Sequence, residues 1–476
     1  MFSASEKESG ITPAACPGVK TQGIEILTSG PKSAILRLSL PMILAMLLMS
    51  SYNLVNAIWV AGLGPDALAA IGFISPMYMV LIGLGTGIGA GATSAISRRI
   101  GAGDCGGAGN VAVHSLVITL VTSLLITIPL VLFAEPISAA FGAGSLSGLA
   151  TEYGIIIYLG SVFIIFANVG YGILRAEGDS KRTMYAMIAG TILNIILDPV
   201  LIYGLNLGIA GAAWGTVISV AVVSFVLLYW FFVKKNTYIR LSPGLFSPSR
   251  ALTRDILTVG LPASVEYLAM SVMAVILNYL LQVLGGSDAV AVFSVGFRVV
   301  SYGIVPIVAI GTVVVSVTGA AYGANLNEKI REAHTFSILF GFFISLIVSL
   351  ITYVFAYPIA ALFSYSADSA GLYPEIAAFL GVMCFFYPFV SFGALSSSVL
   401  QGMGKGPTSL FLTVMRTLVF VIAFAWLFAF PLNMGEKGIW WGIIAGEITG
   451  GILAFIWVRV CLLRLPAPSR ISGSLS

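Results

Sequence analysis

The stretch TILNIILDPVLIYGLNLGIAGAAWGT, residues 191–216, contains a single charged side chain, Asp198. Its apolar runs on either side of a short Gly-Leu-Asn-Leu turn have the character of membrane-crossing helices, which need about 20 apolar residues each. A carboxylate in hydrocarbon costs about 3 kcal/mol on insertion scales. The stretch therefore poses two questions. One is whether the whole chain is built this way, and the other is what an acid does there.

Composition answers the first. Of 476 residues, 58% are hydrophobic, 9% are charged and 53 are glycine, whereas a soluble domain carries about 25% charged residues. Apolar runs of spanning length recur from end to end, so the chain reads as a polytopic membrane protein. The segments are too long for barrel strands and do not alternate apolar with polar residues. Cys16, Cys105, Cys384 and Cys461 lie far apart without CxxC spacing, which suggests neither a disulfide framework nor a zinc site. His114 and His334 each follow a charged loop and read as interfacial histidines. No Lys/Arg cluster is dense enough to track a nucleic-acid backbone. Residues 1–33 are polar and mixed in charge, lack the apolar run of a signal peptide, and read as a flexible cytoplasmic tail.

Twelve spans follow from the apolar runs: 34–60, 67–95, 111–134, 151–175, 184–204 and 208–233, then 256–284, 288–322, 334–363, 373–402, 408–431 and 437–463. The expected organisation is an N-terminal six-helix bundle over 34–233, a cytoplasmic linker over 234–255, a C-terminal bundle over 256–463 and a cytoplasmic tail over 464–476. With both termini in the cytoplasm, all but two of the 23 Lys and Arg fall on the cytoplasmic side. The exceptions are Lys437, in an outer loop, and Arg298, within a span. The positive-inside rule thus supports an even number of crossings.

The halves repeat each other in order. LRLSLPMILAML (36–47) recurs as LTVGLPASVEYL (257–268), matching Pro41 to Pro262, and LRAEGDSKRT (174–183) recurs as LQGMGKGPTS (400–409). GLNLGIAGAAWG (204–215) aligns loosely with NMGEKGIWWG (433–442). A six-helix unit has an even number of crossings, so its copy enters from the same side. The two bundles are then related by an axis along the membrane normal, with a cleft between them suited to alternating access.

Four ionisable residues sit well inside spans: Asp198, Glu266, Arg298 and Glu447. Arg416 is placed near the cytoplasmic boundary by Lys405. Asn194 lies four residues before Asp198 and so shares its helix face. Tyr52 and Asn56 repeat that spacing in the first span, and Asn168 and Thr216 add neutral polar groups from the fourth and sixth. These residues form one candidate pocket around one acid, suited to take up a proton. Oxygens of Asp198, Asn194 and Thr216 are alternatively suited to sodium, and a purely structural Asp198 that holds helices together is the competing reading. Pro199 removes a backbone donor and can bend the helix beside the acid. For Glu266 and Arg298, in adjacent spans, an ion pair stands against a substrate or proton role for Glu266. Glu447, in GIIAGEITGGI, sits among small residues that favour close helix packing. The glycine run GLGTGIGAGATSA (83–95) matches neither a P-loop nor a dinucleotide fingerprint and reads as a surface for close helix approach. No ATP-binding cassette is present, so transport must draw on an ion gradient.

At these residues the chain resembles the MATE (multidrug and toxic compound extrusion) family, over residues 34–463. The likeness is strongest in YNLVNAIWVAGLGPDALAAIGF, ILRAEGDSKRTMYAMIAGTILNIILDPVLIYG and GIAGAAWGT. The resemblance implies twelve helices in two bundles and export of amphipathic, often cationic compounds against proton or sodium entry. It also implies that Tyr52, Asn168, Asn194, Asp198 and Thr216 fall on the family's N-terminal polar cluster. One departure is Asn56, where members with this cluster often carry a second acid. That leaves one carboxylate without the like-charge neighbour that couples a pair. Glu266 falls in the seventh span, where some branches place an acid important for coupling.

The expected function is a secondary antiporter for hydrophobic organic cations, working as a monomer in the cell membrane without a cofactor. A flippase for lipid-linked precursors is the runner-up; its phosphate-bearing cargo would call for a more basic cavity, to which only Arg298 contributes. A channel lacks a visible filter motif, and no Ser/His, paired-Asp or HExxH arrangement suggests an enzyme.

Overall fold

The computed structural model describes residues 21–234, 237–239, 241, 247–363 and 370–465, and every regular element among them is helical. A short helix, α1 (Gln22–Thr28), precedes α2 (Pro31–Ala61), α3 (Pro65–Gly101) and α4 (Cys105–Leu132). Then come α5 (Ala134–Ala140), α6 (Ser147–Leu159), α7 (Ser161–Ala176), α8 (Ser180–Pro199) and α9 (Gly208–Leu228). The second half holds α10 (Arg250–Gly323), α11 (Asn327–Val354), α12 (Ala356–Phe363), α13 (Tyr373–Met383) and α14 (Tyr387–Gly402). It closes with α15 (Gly406–Val414), α16 (Val421–Ala429) and α17 (Gly435–Leu463).

α10 contains 74 residues. Straight, it would reach about 110 Å at 1.5 Å per residue, several times the ~30 Å hydrocarbon thickness. It is instead two spans folded at Gly286, whose φ of 66° and ψ of −153° lie in a region that only glycine enters freely. Nine helices among the described residues are long and apolar enough to cross a membrane, and two further pairs do so together: α6 with α7, bent by 46°, and α13 with α14, bent by 52°. With α10 counted as two and each bent pair as one, there are twelve spans, as the sequence predicts.

The internal repeat is visible in matching irregularities. The two bent pairs are the fourth and tenth spans. The fifth and eleventh each contain a π-turn, Val200–Gly204 after α8 and Met415–Phe420 between α15 and α16. Pro41 and Pro262 both lie inside helices. Glycines complete the match: Gly211 packs on the backbone of Leu201 and Ile202, and Gly438 on that of Phe428 and Ala429.

Three expectations change. The tail predicted to be flexible up to residue 33 includes α1, capped by Thr21 and burying Ile24 and Leu27. Gly23 lies directly against the backbone of Glu177 and Gly178, too close for any side chain, which fixes the helix to the α7–α8 turn. The predicted linker also packs in part, since Ile239 and Leu241 are buried and the Ile239 N–H donates to Glu177 Oε2 at 3.1 Å. Residues 1–20 and 466–476 of the predicted tails lie outside the described residues. Finally, Cys105 is disulfide-bonded, which the cysteine spacing did not suggest. Both histidines are buried: His114 Nε2 accepts from the Ser249 N–H at 3.1 Å, and His334 Nε2 lies 3.0 Å from Ser396 Oγ.

Candidate transport site

A cavity of about 840 Å³ lies between the bundles. Its N-terminal wall comes from the later part of α2, the early part of α3, and α7, α8 and α9; its C-terminal wall comes from α10 on both sides of the Gly286 fold. It therefore occupies the end of the molecule that carries the α2–α3 turn and Gly286. Tyr52, Asn56, Asn168, Asn194 and Thr216, five of the six residues grouped by sequence, line it. Its size suits a drug-sized organic molecule.

Asp198 stands behind this lining. It is fully buried (0% exposed), with Asn194 (4%) and Thr216 (6%) between it and the cavity. The predicted face-sharing holds: Asn194 Nδ2 donates to Asp198 Oδ1 at 2.8 Å. Gly215 sits against the same oxygen, and a β-carbon there would overlap it. Oδ2 meets no donor among the described residues. Asn56 Oδ1 is likewise buried without a hydrogen-bond partner, and the Tyr52 hydroxyl is buried beside Thr216. Thr216 Oγ1 donates to Ala212 O at 3.2 Å and Asn168 Nδ2 to Ile164 O at 2.9 Å, each within its own helix. Pro199 ends α8 and leads into the π-turn, whose Tyr203 hydroxyl donates to the Trp59 carbonyl near the end of α2. The acid is thus joined by one helical turn to a contact on a neighbouring span.

In the second half the expected ion pair between Glu266 and Arg298 does not form. Glu266 accepts from Ser409 Oγ at 2.8 Å and from Gln401 Nε2 at 3.3 and 3.4 Å, while Arg298 lines the cavity away from it. The ion pair that does form is Arg416 Nη1 to Glu447 Oε1, 2.7 Å apart with both side chains buried. Arg416, expected at the cytoplasmic boundary, lies in the π-turn before α16, packed against Gly393 and Gly450. Glu447 is therefore a partner for Arg416 inside the C-terminal bundle.

A family model described as MatE matches residues 41–200 and 262–427, covering most of both halves. The chain belongs to the MATE family. Multidrug export protein MepA of Staphylococcus saprophyticus subsp. saprophyticus is 28% identical over 437 residues, covering 90% of this chain and 93% of that protein. A structure described as the outward-facing conformation of a multidrug resistance MATE family transporter of the MOP superfamily superposes with a TM-score of 0.92 at 42% identity. It covers 94% of this chain and 99% of that one. A second, from Pyrococcus furiosus Vc1 (DSM3638), has the same TM-score, identity and coverage. It is described as a MOP superfamily transporter whose reverse-polarity binding pocket suggests a different function. The protein is a transporter, not an enzyme.

The opposite end of this MATE transporter is closed. Arg98 and Arg99, at the end of α3, bind the two oxygens of Asp255 at 2.6 and 2.9 Å. Gly101 packs on Ala320, and Gly323 on the Arg98 carbonyl, both too tightly for a side chain. Ser94 donates to the Gln401 carbonyl, so this closure lies next to the Glu266 network. The sequence reading did not single out Arg98, Arg99, Asp255 or Gln401. Arg98 and Arg99 entered that reading only in the count of cytoplasmic basic residues.

The glycine run of α3 uses two faces. Gly85 and Gly89 abut Asn168 on α7, whereas Gly87 and Gly91 abut Ile256, Gly260 and Ser264 on α10. The first contact stays within a bundle and the second crosses between bundles.

Proposed function

We propose that the protein is an ion-driven efflux antiporter that moves amphipathic organic molecules by alternating access between its two bundles. The observation that carries this reading is Asp198: a fully buried carboxylate with one oxygen held by Asn194 and the other unpartnered. An acid left half-satisfied inside the membrane is costly, and taking up an inward-moving ion relieves that cost. With Asn56 in place of a second acid, one open carboxylate oxygen suits a proton. Sodium, shared among Asp198, Asn194 and Thr216, is the other outcome of the test.

Coupling requires only that ion and substrate each bind the two conformations with different affinity. Ion uptake at Asp198 acts through Pro199 and the π-turn on Tyr203 and its bond to Trp59 at the outer end of α2. With the basic loops assigned to the cytoplasm, the closed Arg98–Asp255 end faces inward and the cavity faces outward. The likeness to the outward-facing MATE structure supports this assignment, and the name of the Staphylococcus relative supports multidrug export. A specific observation also favours the flippase reading: Arg298 gives the cavity a positive charge.

The test is export of a fluorescent amphiphile from proteoliposomes under a proton or a sodium gradient, with wild type beside Asp198→Asn. Loss of gradient-driven export in a folded variant supports the reading and names the ion. Export that persists at the wild-type rate sinks it.

A further inference from the structure

We propose that the central cavity selects amphiphiles bearing an anionic group and that Arg298 is the residue that reads their charge. This deepens the antiporter reading and rests on it for the direction of movement, but not for the binding itself. Sequence reasoning anticipated a polar pocket around one acid and organic cations as cargo. The lining differs. Arg298 is the single charged residue among the described residues that wall the cavity, and no Asp or Glu joins it. The nearby acid, Asp198, is walled off by Asn194 and Thr216.

Arg298 is available to a ligand. Its side chain is exposed into the cavity, and it takes part in no ion pair among the described residues. One turn along the helix is Tyr302, also on the lining. On its other side the Phe293 and Phe297 rings stack, with centroids 5.2 Å apart, and both line the cavity. An apolar body laid on the Phe297 ring, which the buried Phe293 backs, brings an attached sulfonate, carboxylate or phosphate within reach of the guanidinium, whose planar fork suits such oxygens. A cation in the same position meets a like charge in a confined space, where water screens it less. The amide of Asn278, whose Oδ1 is buried without a partner on this wall, offers an acceptor to a donor elsewhere on the ligand.

The test uses two probes with one apolar body and opposite charge, pyrenebutanesulfonate and pyrenebutyltrimethylammonium. Their binding to purified protein is measured by equilibrium dialysis, with no gradient, for wild type, Arg298→Gln and Arg298→Lys. Wild type should bind the sulfonate at least about ten-fold more tightly than the ammonium, Arg298→Gln should erase that preference, and Arg298→Lys should keep most of it. The proposal fails if wild type prefers the ammonium probe to both anionic probes, or if Arg298→Gln leaves the affinity for the sulfonate and for the phosphatidate described below within roughly twofold of wild type. A short-chain fluorescent phosphatidate forms the third arm. If it alone binds in an Arg298-dependent way, the anion is a lipid headgroup, and if the sulfonate binds as well, free organic anions are accepted. Asp198→Asn should retain the sulfonate preference even where it abolishes driven export. Charge selection without any driven export in wild type would remove the antiporter reading and leave the site standing.

Discussion

The helix pair α8–α9 and its copy α16–α17 are built on the same contact and differ in what they bury. In the copy, Gly438 and Gly442 lie against the backbone of Phe428–Ala429 and Phe424–Ala425. In the first half, Gly211 lies against the backbone of Leu201–Ile202 in the same way, but Gly215 meets the Asp198 carboxylate. With the glycines matched, the position of Asp198 corresponds to Ala425. The copy closes as an apolar, small-residue interface of the kind that holds spans together. Its polar element lies elsewhere, in Arg416 and Glu447, which satisfy each other at 2.7 Å. The N-terminal pair instead contains an acid with one oxygen unanswered. The C-terminal pair neutralises its buried charge and the N-terminal acid is left open, and the open one is where the proposed coupling ion would act.

Breaking the closed pair should have the largest effect on the molecule. Glu447→Gln leaves the Arg416 guanidinium buried without its counter-charge, a loss of about 3–5 kcal/mol, read as a lower melting temperature and poorer yield of folded protein. Replacing both partners, Arg416→Met with Glu447→Leu, should recover most of that stability. Failure to recover would give the pair a role beyond balancing charge.

Asp198→Asn should do the reverse. It removes the open carboxylate, leaves the melting temperature near or above wild type, and lowers gradient-driven export by about 100-fold, the upper range of coupling energies between sites. A fall in stability with export intact would invert the comparison.

The matched glycines give a finer test. Gly442→Ala pushes a methyl group into backbone and should cost about 1–3 kcal/mol of stability. Gly215→Ala pushes a methyl group into the Asp198 side chain, which can rotate away from Asn194. Stability should change little while driven export falls by about 10-fold.

A pH-dependent effect is expected at a third buried acid, Glu177, outside the spans. Burial pushes its carboxyl up to about 8, against the pull of the Ile239 N–H. The folded protein keeps this proton to about pH 8, whereas an unfolded chain releases it near 4.5. Stability present at low pH is therefore lost as the pH rises between those values. A thermal-melting series should show that decline in wild type and a flatter profile in Glu177→Gln.

The sequence made much of this comparison legible. Twelve spans followed from apolar length, and the repeat followed from the Leu-Pro and glycine matches. The pairing of Asn194 with Asp198 followed from four-residue spacing on one helix, a relation that local geometry enforces. The remainder depends on which faces meet in three dimensions. Nothing along the chain distinguishes an acid that lines a cavity from one set behind Asn194 and Thr216. Arg416 and Glu447 are separated by a turn and parts of two helices, and Arg298 was paired with Glu266 because their spans are adjacent, although the side chains point to different places. The tail was read from composition, and composition does not report the backbone-on-backbone contact between Gly23 and Gly178.

The two-faced glycine run of α3 has a kinetic consequence. The face bearing Gly87 and Gly91 meets the backbone of Ile256 and Gly260 and the small side chain of Ser264 on α10. In the proposed alternating-access cycle, few rotamers must be frozen again when the bundles part and rejoin, and side-chain ordering is what normally makes a packed interface slow and costly to re-form. A seam of this kind opens and shuts like a smooth bearing. The turnover rate should then be governed by ion and substrate occupancy more than by friction between the halves.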